Sequence, residues 1–66
     1  MTMSTGEWTA EQKLRAVERE LKMRYRVYPR FIAEGKMTQQ QADREVSIFE
    51  DIAADYRAQV EKSRLL

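Results

Sequence analysis

The chain has 66 residues, with 12 basic and 11 acidic side chains and neither cysteine nor histidine. A chain this short buries only about 60% of its unfolded surface, and the missing cysteine removes disulfides and thiolate chemistry. The missing histidine removes the commonest metal ligand and the usual general base at neutral pH, so self-association or docking on a partner is the staple left.

Met1 to Gly6 is small and polar, with neither the basic n-region nor the apolar h-region of a signal peptide. Residues 1–8 read as a flexible terminus. No apolar run approaches the roughly 20 residues that cross a bilayer, and the expected location is the cytoplasm.

A first helix is expected over residues 9–34. Thr9 can cap it, Gln12 completes a capping box, and Glu11 suits the positive end of the dipole. Trp8, just outside the cap, is placed to fold back on the first turn near Leu14. The apolar positions Leu14, Val17, Leu21, Tyr25, Tyr28 and Ile32 then recur at spacings of three and four, a stripe on one helical face. Pro29 lies inside this stripe without shifting its phase. Proline removes an amide and disfavours a helical Tyr28, so the helix either kinks near 28–29 or stops and restarts. The kink fits the stripe better.

Gly35 suits the left-handed position after a helix end. Met37 and Thr38 restart the chain, with Thr38 as cap and Gln41 three residues on. A connection over 35–38 makes two helices antiparallel neighbours. The second helix is expected over 39–63, where Ala42, Val46, Phe49, Ala53, Tyr56 and Val60 form a coiled-coil-like seam. Ile48 and Ile52 lie beside that seam and widen the apolar arc to roughly 160°, more than one partner helix covers. The fold class is therefore all-α: an antiparallel two-helix hairpin, expected to dimerise into a four-helix bundle through Ile48, Ile52, Phe49 and Tyr56.

Charge is unevenly spread. Between Glu7 and Glu34 there are seven basic and five acidic residues, and between Gln39 and Lys62 three basic and six acidic. Arg15, Arg19, Lys22, Arg26 and Arg30 fall within roughly 80° of one another on the wheel, away from the stripe, as a ladder about 22 Å long. Arginines at this spacing can follow a phosphate backbone or grip an acidic surface; the plainer alternative is a solvated face. The pI near 8.1 is below that of a dedicated nucleic-acid binder. The five aromatics Tyr25, Tyr28, Phe31, Phe49 and Tyr56 sit at helical spacing and read as core rather than as a stacking platform. Asp51 and Asp55, one turn apart, could touch a cation but have no histidine or loop ligand beside them. Phosphate loops, nucleophile–base pairs and zinc spacings are missing, so no enzyme, cofactor or metal is expected.

The run Arg24-x-Arg26-x-Tyr28-Pro29-Arg30, then Gly35-Lys36-Met37-Thr38, Ala42-Asp43-Arg44-Glu45 and Ile52-Ala53-Ala54-Asp55-Tyr56-Arg57, resembles small uncharacterised proteins encoded by phages and prophages of proteobacteria. The resemblance covers roughly residues 14–57. It implies a context: an accessory factor of the host cytoplasm that takes part in host takeover by binding, redirecting or inhibiting a host or phage protein. On this reading the contact surface is Arg15, Arg19, Lys22, Arg26, Tyr28 and Arg30. The alternative is a small nucleic-acid-binding accessory using the same basic face, and no membrane partner is expected.

Overall fold

The computed structural model describes residues 7–65. Two helices, α1 (Ala10–Ala33) and α2 (Gln39–Leu65), fold back on each other as an all-α antiparallel hairpin. The expectation for the N-terminal segment falls, for residues 1–6, outside the described residues; Trp8 precedes the first cap and is half exposed. Helix α2 runs two residues beyond the expected end, and Lys62 and Arg64 in its last turn suit the negative end of the helix dipole.

Local chemistry sets the ends of both helices. At α1 the Gln12 amide donates to Thr9 Oγ1 (3.1 Å) while the Thr9 amide donates to Gln12 Oε1 (2.8 Å). The same reciprocal pair recurs at α2 between Thr38 and Gln41, both bonds 3.0 Å long. Each box satisfies two amides of the chain at a helix start, where no intrahelical acceptor exists. At the other end of α1, the Lys36 amide reaches the Phe31 carbonyl (2.9 Å) and the Gly35 amide reaches the Ile32 carbonyl (3.1 Å). That double closure needs a left-handed residue, and Gly35 supplies it with φ +75°.

Helix α1 continues unbroken through Pro29, so the chain does not stop and restart there. Pro29 has no amide to give the Tyr25 carbonyl a turn earlier. Its ring faces solvent, where that loss is least severe.

The core is thin. Among the described residues Leu21, Ala42 and Ala53 are the buried apolar ones, and two of the three are alanines. Around them every other member of the α2 seam (Val46, Phe49, Tyr56, Val60) is half-buried, as the 3–4 spacing requires. The α1 stripe holds at Leu14, Val17, Leu21, Tyr28 and Ile32 but fails at Tyr25, which is 51% exposed. Arg24 takes the inner position instead. Its guanidinium carbon lies 4.0 Å from the centre of the Phe49 ring, and its Nη1 donates to the Glu20 carboxylate at 2.7 Å.

The Cα atoms extend only 15 Å along the shortest axis, so the molecule is a single layer of two helices with two broad faces. Contacts between the helices tell the faces apart. Tyr25–Glu50 and Glu18–Arg57 bridge one of them with hydrogen bonds. The other carries Arg24 over Phe49 and Lys13 over Tyr56, and beside them, by helical spacing, lie Val27, Phe31, Ile48 and Ile52, with Met23 at the outer edge next to the cations.

Candidate functional site

The back of α1, opposite α2, is built by about four turns of uninterrupted helix. Its residues Arg15, Arg19, Lys22, Arg26 and Arg30 are all exposed. Arg15 makes a loose pair with Glu11 at 3.5 Å, both side chains largely in solvent. Among the described residues the other four make no ion pair, whereas Arg24, Arg57 and Arg64 each have a carboxylate within 3.6 Å. Four of the seven cations that make no ion pair among the described residues are thus gathered on one helix face, while Lys13, Arg44 and Lys62 lie elsewhere.

Tyr28 does not join them. It is half-buried on the side toward α2, its ring centre 6.3 Å from that of Phe31 at a tilt of 35°. The structure therefore brings together the five cations expected at the contact surface and separates the tyrosine from them. Helical geometry explains the split, since Tyr28 shares a phase with Leu21 and the cations occupy the opposite phase.

At one edge of the ladder the surface becomes concave. An open groove of about 600 Å³ is lined by Arg15, Arg19 and Lys22 from α1, by Arg57 from α2, and by Leu21 and Tyr25. Arg57 was not expected at this surface, and it arrives there because its Nη2 donates to Glu18 across the helix pair at 3.2 Å. Such a cross-helix pair is invisible along either helix, although the pairing of Glu18 with Arg57 follows once the hairpin register is known. The groove offers four cations and apolar area, with Glu18 as the one carboxylate in its lining.

Tyr25, at the groove's edge, donates its hydroxyl to Glu50 at 2.5 Å. That bond to the carboxylate, followed by partial loss of solvent and repulsion from the Glu50 charge, pushes the phenol above its ordinary value. The Arg24 guanidinium is likewise held charged, first by its bond to Glu20, against the opposing effect of burial. Its side chain is 17% exposed, and its Nε is buried with no partner.

The four residues expected at a dimer interface divide in two. Ile48 is 44% exposed and Ile52 half-buried, both on the open face. Phe49 and Tyr56 are half-buried, and each has one ring face covered within its own chain, by Arg24 and by Lys13 at 5.7 Å. Cation–π coverage of this kind was not foreseen from the sequence, because it depends on Arg24 facing inward.

Among the described residues no three acidic side chains converge as a cation site, and no helix is long and apolar enough to cross a membrane. Compared with known proteins, the chain matches no family model, no curated protein and no solved structure.

Proposed function

We propose that this chain is a non-enzymatic accessory protein of phage or prophage origin that acts in the bacterial cytoplasm by binding an acidic surface of another protein. The observation that carries the reading is the gathering of unpaired cations, Arg19, Lys22, Arg26 and Arg30, on one exposed face. Long cationic side chains held at 3- and 4-residue spacing favour an extended acidic partner, with arginine forks suited to carboxylates. The groove beside them adds apolar area at Leu21 and Tyr25, which a purely electrostatic contact lacks.

A second reading has the same face hold nucleic acid. The ladder from Arg15 to Arg30 runs without an acidic residue on its own face, as a phosphate-tracking surface needs. Against it stand the near-neutral net charge of +1 and the acidic character of α2.

One experiment separates the two. The double variant Arg26→Glu/Arg30→Glu is compared with wild type in two assays: retention of host and phage proteins after cross-linking, and anisotropy of labelled DNA and RNA at about 50 and 200 mM salt. Under the protein-binding reading a specific partner is retained by wild type and lost by the variant, and nucleic acid binds neither. Nucleic-acid binding that falls steeply with salt, and that the variant abolishes, overturns the first reading in favour of the second. Retention of the same partners by both proteins overturns the assignment of this face.

A further inference from the structure

The broad face opposite the Tyr25–Glu50 and Glu18–Arg57 bridges has no cover. Val27 and Phe31 lie along it on α1, with Met23 (41% exposed) at its outer edge, and Ile48 (44% exposed) and Ile52 lie along it on α2. We infer that this face is closed by a second copy of the chain, stacked so that α1 of each copy lies on α2 of the other and both turns are at the same end.

Three observations choose that occupant. The first is size. A layer of two helices about 40 Å long and about 20 Å wide presents about 800 Å² per copy, the area of a standard stable interface. The second is self-complementarity. A two-fold axis parallel to the helices places the α1 residues Met23, Val27 and Phe31 of one copy at the height of Ile48 and Ile52 of the other. This follows because the hairpin register, set by Tyr25–Glu50 and Glu18–Arg57, already holds those residues level within one chain. The third is charge. With a net charge of +1, two copies repel one another little.

Charge also selects the orientation. On the open face itself α1 carries Lys13 and Arg24 against Glu20, and α2 carries Glu45. Laying α1 on the partner's α2 puts unlike helices together. The other two-fold arrangement lays α1 on α1 and α2 on α2, like on like, with the turns at opposite ends. Both arrangements give each helix antiparallel neighbours on two sides, the packing of a four-helix bundle, so the choice between them rests on charge. The cationic back of each α1 remains outside it, so the inference does not depend on what that back binds.

The test combines mass with distance. Sedimentation at about 100 µM should give twice the 7.9 kDa chain mass, and Ile48→Glu should weaken association by at least about 30-fold while helicity by circular dichroism is kept. Val27→Glu, at a half-buried position of the same face on α1, should do the same and guards against a local effect at Ile48. A nitroxide at Lys36→Cys, on the exposed turn, then reads the orientation. Pulsed dipolar spectroscopy should give a separation below about 30 Å, because the turns are at one end, whereas the like-on-like stack would separate them by about one helix length, near 40 Å. A monomeric wild type at that concentration overturns the proposal. So does a dimer that neither glutamate variant weakens, and a long spin–spin distance overturns the orientation.

Discussion

At the scale of single residues, the helix pair is tied by groups that meet only across it. Tyr25 donates to Glu50, and its phenol titrates above the ordinary value of about 10. A group whose folded pKa is raised contributes stability that is complete below the unfolded pKa and is lost as pH rises through the folded one. The difference in stability between wild type and Tyr25→Phe is therefore expected to be flat from about pH 7 to about pH 10 and to shrink above it. Urea midpoints measured along that range check this. A difference that does not change with pH would mean that the bond to Glu50 contributes nothing in solution. The same neighbourhood shows where residue-level reading of the sequence stops. Tyr25 and Arg24 compete for one inward position, and hydropathy assigns it to the tyrosine. The arginine takes it because a guanidinium can lie flat on Phe49 while its charge is met by Glu20 a turn away. Neither partner is visible until the helices are paired.

At the scale of the elements, the ends of the helices were legible and the middle of α1 was not. Thr9 with Gln12, Thr38 with Gln41, and Gly35 each carry a local chemistry that acts whatever the rest of the chain does, so their positions alone placed the caps and the turn. The seam of α2 was legible for a related reason, since its members recur on one face of an uninterrupted helix. Arg57, by contrast, reaches the cationic groove only through its tertiary contact with Glu18. Pro29 left two outcomes open because the local penalty and the continuing stripe oppose each other. The stripe prevails, and the helix carries proline at an exposed interior position. Proline there is about 3 kcal/mol less favourable than alanine, offset by about 0.4–1 kcal/mol from the freer unfolded chain that alanine brings. Pro29→Ala is thus expected to stabilise the hairpin by about 2 kcal/mol. Thermal unfolding followed by circular dichroism measures this, and an unchanged midpoint would mean that α1 already relieves the proline by bending.

For the whole molecule, the question is where enough burial comes from. A natural domain of this length holds a net stability of about 3–10 kcal/mol. Among the described residues its buried apolar side chains are one leucine and two alanines, and burying a leucine contributes about 1.5–3 kcal/mol before any chain entropy is subtracted. Half-buried residues on both faces add to this, but those on the open face reach full burial only under a second layer. If that layer is another copy of the chain, folding and association are one equilibrium, and the midpoint must depend on concentration. An unfolding enthalpy of about 0.7 kcal/mol per residue gives about 90 kcal/mol for two chains, so a hundredfold increase in concentration should raise the midpoint by about 10 °C. Scans at about 2 and 200 µM suffice to see it. Ile48→Glu, which removes the association and leaves the 3–4 seam intact, should unfold at a lower temperature that no longer moves with concentration. A wild-type midpoint that is already constant would place all of the stability within one hairpin, and the apolar residues of the open face would then be free for a different protein.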